Sequence, residues 1–232
     1  MKRACAIFAC NLYETESGVQ AMILKDGYGY IFAALAAAVI FGAAVHPYVA
    51  VPFVVLAAYF AYFFRNPNRS IPQDSSLLVS PADGKVMEVV SLDDDDFVKE
   101  PCNKVVIFLS IFDVHINRSP MEGEIKCQQY ICGRFKPAYK DSVGFENERH
   151  MIGIENDKLR ITVTQIAGIL ARRIVSWVTL DDVLEKGERY GLIRFGSCTE
   201  VVMPKSVEVM VKKGDRVKGG ETIIGRVKSD DV

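Results

Sequence analysis

The sequence predicts a mainly β protein of the α+β class, in which a barrel-like or sandwich-like β-rich domain follows an N-terminal hydrophobic helical hairpin. Two observations lead to this prediction. The stretch from Tyr28 to Phe64 contains no Asp, Glu, Lys or Arg. After it, short runs of alternating apolar residues are separated by glycine, proline and aspartate, a pattern typical of strands and turns. We therefore expect a hairpin over 28–64 and a β-rich domain over 65–232.

The uncharged stretch is divided by His46 and Pro47 into two apolar runs of about 17 to 18 residues, each about 27 Å long as a helix and so close to the thickness of a bilayer core. Lys25 precedes the pair and Arg65 follows it. Positive flanks favour the cytoplasm, so both ends of the hairpin and the following domain are expected on that side. A buried hairpin of a soluble core and a shallow re-entrant anchor are the alternatives. We expect membrane attachment.

Residues 1–27 are interpreted as an N-terminal extension. A secretory signal is not favoured, because the first apolar stretch has only about seven residues and is followed by polar ones. Met22 opens a segment that leads more naturally into the first apolar run. We therefore expect residues 1–21 to be dispensable, or to come from a misplaced start codon.

Composition excludes several classes of function. The 28 basic and 29 acidic residues give a formal net charge of −1, which provides no general attraction for nucleic acid. The six cysteines form no C-x-x-C pair and there are only three histidines, so no metal site is expected. Scattered cysteines are typical of reduced thiols in a cytosolic setting.

Within the β-rich domain, the Asp83-Gly84 dipeptide predicts a turn between two strands of 77–90, and Asn156-Asp157 predicts a second hairpin. The apolar run 104–112 predicts a buried strand. Other expectations are an exposed loop over 93–96, a short helix around 180–186, short strands in the tail after 206, and two related turn-strand units at 82–88 and 213–221.

Gly196 and Ser197 are the first candidates for chemistry. Glycine permits strained backbone geometry, which exposes its carbonyl to the hydroxyl that follows. Such a serine can attack that carbonyl if a base removes its proton and donors stabilise the oxyanion. The candidate bases are His115, just beyond the predicted buried strand, and Asp83. Taken singly, each residue also has a structural reading, and their spacing alone does not choose between the two.

Six segments taken together resemble the phosphatidylserine decarboxylase family, in its short membrane-anchored form. The resemblance runs from about Met22 to the C-terminus, and six matches in the right order are far more specific than any one of them. The segments are FFRNPNRSIP (63–72), SPADGKV (80–86), FLSIFDVHINRSPMEGEI (108–125), ENER (146–149), VTQIAGILARRIV (163–175) and GERYGLIRFGS (187–197).

This resemblance implies a proenzyme that cuts itself between Gly196 and Ser197. The products are a β chain (1–196) and an α chain (197–232), which form a heterodimer, and a homodimer of these heterodimers is left open. Ser197 becomes a covalent pyruvoyl group, which replaces pyridoxal phosphate, and no metal is needed. By the same resemblance His115 is the base and Asp83 its orienting carboxylate, as in a serine-protease triad.

The implied reaction begins with a Schiff base between the pyruvoyl group and the amine of phosphatidylserine, and it ends with phosphatidylethanolamine and carbon dioxide. Because the substrate lies in a bilayer, the resemblance places the enzyme at the cell membrane, with its catalytic domain on the cytoplasmic side. Diacyl and isoprenoid lipid tails both remain open. The basic residues available for the headgroup are Arg134, Lys136, Lys140, Arg149, Arg172 and Arg173.

Two positions depart from the family pattern. Some members carry two histidines three residues apart, whereas here Arg118 occupies the second position, so His115 has to serve both reactions or another group takes one of them. Cys198 follows the serine, and its thiol would either act on the neighbouring ketone or be a tolerated small side chain. His46 and His150 are interpreted as non-catalytic.

A different class of function stays open beside the enzyme. The tail resembles the turn-strand pattern of biotinyl or lipoyl domains, with 80–86 as its partner half. A membrane-tethered carrier or a non-cleaving binding module is therefore the alternative, although no Met-Lys-Met occurs to present a modified lysine.

Overall fold

The computed structural model describes residues 22–133, 147–168, 173–194 and 197–228. Two helices, α1 (Lys25–Ala44) and α2 (Val51–Phe63), are joined by a 3-10 turn (Pro47–Ala50). Fourteen strands follow in the described part of the chain: β1 (Leu77–Val79), β2 (Gly84–Leu92), β3 (Cys102–Leu109), β4 (Ile116–Arg118), β5 (Gly123–Ile131), β6 (Arg149–Glu155), β7 (Arg160–Ala167), β8 (Ile174–Ser176), β9 (Val183–Leu184), β10 (Arg189–Ile193), β11 (Ser197–Pro204), β12 (Val207–Val209), β13 (Arg216–Val217) and β14 (Ile223–Val227). The predicted mainly β fold with an N-terminal helical hairpin is confirmed.

The hairpin formed by α1 and α2 is apolar and largely exposed. The 20 residues of α1 are long and apolar enough to cross a membrane, whereas α2 is a shorter apolar helix. Large side chains point away from the protein along both helices, including Phe32 at 68%, Val39 at 71% and Val55 at 63% exposure. An exposed apolar surface of this extent is what a membrane-attached element presents.

The open end of the hairpin is docked on the β domain. Phe63 and Phe64 are almost fully buried, in a cluster that also contains Leu24, Ile116 and Leu192. The Leu24 amide donates to the Phe64 carbonyl at 2.9 Å, which ties the start of α1 to the end of α2. Aromatic burial therefore fixes the hairpin to strands β4 and β10.

Strand β11 lies near the middle of an eight-stranded antiparallel sheet with the order β13-β2-β3-β11-β7-β6-β5-β9. The sheet curls into half a barrel. Two smaller sheets, β1-β14-β12 and β4-β10-β8, lie beside it. Successive side chains of a strand point to opposite faces, and one face carries the main core. That core includes Val86, Val105, Ile107, Ile152, Ile161, Val163, Val201 and Met203.

Three local predictions are confirmed. The hairpin around Asn156-Asp157 is formed by the antiparallel pair β6–β7. The buried strand predicted over 104–112 corresponds to β3, which begins at Cys102 and ends at Leu109. The turn-strand units at 82–88 and 213–221 contain β2 and β13, which pair with each other.

Two other local predictions are wrong. The strands on either side of Asp83-Gly84 form no hairpin, because β1 pairs with β14 whereas β2 pairs with β3. A β-carbon on Gly84 would overlap the Phe108 carbonyl, so this glycine permits the close approach of β2 to β3. Around 180–186 the chain forms a turn and β9 in place of a helix, since the Asp182 carboxylate accepts from the Thr179 amide at 2.7 Å.

Phe64→Ala is expected to destabilise the protein by about 3 kcal/mol, because it empties a fully buried aromatic site at the base of the hairpin. Phe32→Ala is the matched control on α1, since that ring is 68% exposed. Thermal unfolding of both variants in the same detergent measures the difference. Equal melting temperatures would contradict the docked hairpin.

Candidate active site

Ser197 is the first residue of strand β11, in the eight-stranded sheet. Together with its neighbours on the two adjacent strands it forms a fully buried row, that is, a line of residues across the sheet. It is paired with Leu109 of β3 on one side and with Ala167 of β7 on the other. Its exposure is 0%, and its Oγ has no hydrogen-bond partner in the described part of the chain. A buried hydroxyl without a partner costs free energy, so such a group is a candidate for function. Gly196, the other half of the predicted cleavage site, lies outside the described residues.

His115 lies between β3 and β4 and is also fully buried. Its Nδ1 is 2.9 Å from the Asp113 carbonyl oxygen, and its ring centroid is 4.4 Å from that of Phe63. A carbonyl can only accept, so Nδ1 carries the proton and Nε2 the lone pair. Burial lowers the pKa of His115 to about 4. The imidazole is therefore neutral at pH 7, which is the form a general base needs.

The backbone brings His115 to the same end of the sheet as Ser197. The Ile193 amide, at the end of β10, donates to the His115 carbonyl at 3.2 Å. Ile193 also packs in a small buried cluster with Ala167, the cross-strand partner of Ser197. The segment that leads from β10 to Ser197 thus begins against His115.

Asp83 occupies a different position from the one predicted for an orienting carboxylate. It accepts two hydrogen bonds from Arg69, at 2.8 and 3.0 Å, and one from the Gly219 amide at 2.8 Å. Burial raises the pKa of Asp83 even though Arg69 acts in the opposite direction. Within the described residues, its carboxylate makes no hydrogen bond to His115, whose Nδ1 is oriented by the Asp113 carbonyl.

Arg118, at the position of the second family histidine, is buried and held by fixed acceptors. Its Nη1 donates to the Gly187 carbonyl at 2.8 Å, and its Nη2 lies 3.4 Å from Asn66 Oδ1. Burial lowers the pKa of Arg118 to about 10, so the side chain remains a cation at pH 7. A cation held in this way does not accept a proton, so Arg118 does not replace the missing histidine as a base.

A second buried row, next to that of Ser197, is polar. The strand register places Thr199 of β11 beside Gln165 of β7, and Gln165 beside His150 of β6. Asn117 of β4 joins the row from the neighbouring sheet. Each of these four side chains is at most 2% exposed. Polar residues at four core positions are unusual unless they satisfy one another.

In this row, the hydrogen bonds lead from His150 to Thr199, and each side chain donates to the next. His150 Nδ1 lies 3.0 Å from Gln165 Oε1, Gln165 Nε2 donates to Asn117 Oδ1 at 2.8 Å, and Asn117 Nδ2 donates to Thr199 Oγ1 at 2.9 Å. At the outer end, Gln128 Nε2 lies 2.9 Å from His150 Nε2. A β-carbon on Gly191 would lie 2.9 Å from the Gln165 amide nitrogen, so glycine leaves room for the row. The row ends on β11, two residues after Ser197.

Cys198 points to the opposite face of β11 from Ser197, because neighbouring residues of a strand alternate. Burial, with a smaller contribution from Glu200, raises the pKa of the Cys198 thiol to about 12. The thiol is therefore protonated at pH 7 and is a poor nucleophile.

The remaining predicted residues have mixed outcomes. His46 is exposed at the tip of the hairpin, whereas His150, interpreted as non-catalytic, belongs to the polar row. Arg173 is exposed and Arg149 is partly buried. Arg134, Lys136, Lys140 and Arg172 lie outside the described residues. In the parts of the chain that the structure describes, no group of three or more His, Cys, Asp or Glu side chains is arranged to hold a metal ion.

Comparison with known proteins gives a consistent result. A family model described as phosphatidylserine decarboxylase matches residues 56–225. The chain belongs to the phosphatidylserine decarboxylase family. A phosphatidylserine decarboxylase proenzyme of Carboxydothermus hydrogenoformans is 45% identical over 208 residues, which cover 89% of this chain and 97% of the relative. One from Symbiobacterium thermophilum is 46% identical over 207 residues, covering 89% and 96%. The predicted family and enzyme class are confirmed.

Sequence reasoning missed the polar row of this family member. Asn117 and Gln165 stood inside the segments that carried the resemblance, and the register that joins them to Thr199 is a property of the folded sheet. A sequence signal did exist for Gln165, which is an amide between Val163 and Ala167 on one face of the alternating strand pattern ITVTQIA. Sequence reasoning also missed Arg69 as the partner of Asp83, because strand β1 lies between the two residues in the chain.

His115 is expected to make the protein less stable in acid. Its pKa in the fold, about 4, lies below the ordinary 6.5, so as the pH falls from 6.5 towards 4 the unfolded chain takes up a proton that the folded chain does not. The loss is about 3 kcal/mol from this group, and burial of His150 acts in the same direction. Urea unfolding between pH 7 and 4.5, with all proteins made as uncleavable Ser197→Ala chains, should show a smaller loss for His115→Gln than for the chain that keeps His115. The matched control is His46→Gln, at an exposed histidine. If the unfolding free energy of the His115→Gln protein fell as steeply with pH as that of the chain with His115, this expectation would be contradicted.

Gln165→Met is expected to cost about 2 kcal/mol, because it leaves the Asn117 oxygen without its donor and His150 without its acceptor in a buried site. Gln129→Met, on the exposed side of β5, is the matched control. Denaturant unfolding of both variants, made in uncleavable Ser197→Ala chains, measures the difference. If the two substitutions cost the same, the row contributes no net stability.

Proposed function

We propose that this chain cleaves itself between Gly196 and Ser197 and then decarboxylates phosphatidylserine to phosphatidylethanolamine. The relatives above are named as proenzymes of phosphatidylserine decarboxylase, and family membership extends that activity to this chain. The observation that carries the proposal is Ser197, a fully buried hydroxyl without a hydrogen-bond partner among the described residues, at the start of the central strand β11.

Self-cleavage would proceed through the Ser197 hydroxyl. Its Oγ attacks the Gly196 carbonyl carbon while His115 takes the hydroxyl proton. The C–N bond between Gly196 and Ser197 then breaks, the freed nitrogen takes that proton from His115, and the acyl group is left on oxygen as an ester. Transfer of the Ser197 α-proton to His115, which is neutral again, breaks the ester C–O bond, releases the Gly196 carboxylate and leaves dehydroalanine. Water converts this to a pyruvoyl group and ammonia. The products are the chains 1–196 and 197–232.

The neutral imidazole of His115 supports its role as the base. Its Nε2 carries the lone pair, and the Asp113 carbonyl fixes the ring from the other side. This arrangement uses a backbone carbonyl where the predicted triad uses the Asp83 carboxylate. Because Arg118 is a cation with fixed acceptors, we assign both the cleavage and the later proton delivery to His115.

The surroundings of Ser197 fit a pyruvoyl group formed in place. The side chain is enclosed by the apolar partners Leu109 and Ala167, and nothing in the described part of the chain has to release its Oγ first. A pyruvoyl group at residue 197 would supply an electron sink for the pair left when carbon dioxide departs. His115, once it has taken up a proton at Nε2, would deliver the proton that the product receives.

The two chains would stay together after the cut. Strand β11, the first of the α chain, is paired along its whole length with β3 and along most of it with β7, both from the β chain. Strand β14 pairs with β1, and β13 with β2. Sheet pairing therefore supports a stable heterodimer without any new interface.

We place the enzyme at the cell membrane, with its β domain on the cytoplasmic side. The exposed apolar surface of α1 and α2 supports attachment, and Lys25 and Arg65 flank the hairpin on that side. Since His115 touches Phe63 at the base of the hairpin, the site lies close to the level at which serine headgroups would be reached.

Ser197→Ala is expected to remain a single chain without decarboxylase activity, because it removes the attacking hydroxyl. Wild type and the matched control Ser206→Ala, an exposed serine of the α chain, should each give a large chain and a chain of 36 residues (232 − 196). A denaturing gel, the intact mass of the small chain and release of phosphatidylethanolamine from phosphatidylserine vesicles measure the outcome. An uncut but folded wild type would favour the carrier or binding-module alternative instead.

A further inference from the structure

An ion pair joins the hairpin to the segment that precedes the proposed cleavage site. Arg194 directly follows β10 and stands two residues before Gly196. Its Nη2 donates to Asp26 Oδ1, in the first turn of α1, at 2.8 Å, and its Nη1 lies 3.4 Å from the Tyr30 hydroxyl. The Arg194 and Asp26 side chains are only 21% and 14% exposed. This shielding makes the pair stronger than an ordinary surface pair.

The start of α1 has little freedom to move relative to the β domain. A β-carbon on Gly27 would lie 2.6 Å from Phe64, so α1 and the end of α2 are in close contact at this residue. Phe64 packs on Phe63 at 5.0 Å, and Phe63 packs on His115 at 4.4 Å. The docked end of the hairpin therefore contacts His115, the proposed general base, through α2. Through α1 it contacts Arg194, in the segment that precedes the cleavage site.

Several contacts hold the described residues that lead to the proposed cleavage site. The Ile193 amide donates to the His115 carbonyl, the Arg194 amide donates to the Arg173 carbonyl at 3.3 Å, and the Arg194 side chain is bound to Asp26. The next described residue is Ser197, already part of β11. Asp26 thus holds the last described side chain before the bond that has to be cut.

We propose that Asp26 and Arg194 are positioning residues, which make the rate of self-cleavage depend on the docked hairpin. This inference rests on the proposed function. Attack on a neighbouring carbonyl requires a narrow range of geometries, and a restraint close to the reacting bond raises the fraction of chains within that range. Because such coupling is reciprocal, the same contact stabilises the docked position of the hairpin.

Self-cleavage of full-length chains, made by cell-free synthesis with lipid vesicles and followed on gels, tests the pair. Asp26→Asn and Arg194→Gln should each slow cleavage at least about tenfold, since small displacements of reacting groups cost this much or more. The double exchange Asp26→Arg with Arg194→Asp should recover most of the rate. Glu155→Gln is the matched control, because Glu155 forms a 2.8 Å pair with Arg160 on the exposed β6–β7 hairpin.

A second pair of variants tests docking without changing any charge. Gly27→Ala should also slow cleavage, because the added carbon displaces Phe64. Gly29→Ala, two residues further along α1, has no atom within 4 Å of the new carbon and should cleave at the wild-type rate. Alanine is the better helix former at both positions, so helix propensity does not explain a difference.

Melting temperatures of the same variants in Ser197→Ala chains separate positioning from general damage. Slower cleavage that the charge exchange restores supports the proposal. It is overturned if Asp26→Asn and Arg194→Gln cleave as fast as the wild type, or if they are slow only in proportion to lost stability and the exchange rescues nothing. A wild type that never cleaves removes the proposed function itself, whereas a wild type that cleaves alongside equally fast variants removes only the role of the pair.

Discussion

Antiparallel pairing of β11 with β3 and β7 is the interaction on which the rest of the site depends. It buries Ser197 between two apolar neighbours and places Thr199 beside Gln165 in the adjacent row. A shift of the register by one residue would turn every side chain of β11 to the other face and exchange Ser197 with Cys198. The same pairing would hold the α chain in place after the proposed cut, so one set of backbone hydrogen bonds would serve both the precursor and the cleaved protein.

Removal of water is the second constraint, and it affects the protonation of three side chains. Burial keeps His115 neutral, keeps the Cys198 thiol protonated and raises the pKa of Asp83 despite its ion pair with Arg69. A neutral imidazole at the same end of the sheet as a buried hydroxyl is suited to the role of base that we propose for it. Desolvation also makes an unpaired polar group costly, and the side chains of the polar row beside Ser197 satisfy one another.

The hairpin joins these buried groups to an apolar surface of the kind that attaches to membranes. Its outer surface is apolar and exposed, whereas its base is packed against strands β4 and β10 and contacts His115 through Phe63. An element used only as an anchor would need no partly buried ion pair with the domain it carries. The Asp26–Arg194 contact therefore favours a fold in which attachment and maturation are physically linked.

The amino-acid sequence by itself determined the mainly β class, the uncharged hairpin and the family, because these depend on composition, local periodicity and ordered motifs. It also singled out Ser197 and His115, which stand in strongly patterned segments. Only the tertiary structure decided that Asp83 pairs with Arg69, that β1 and β2 belong to different sheets, and that Arg194 reaches Asp26. These contacts join residues far apart in the chain, and their partners are chosen by strand register and by competition between buried groups, neither of which a local pattern records.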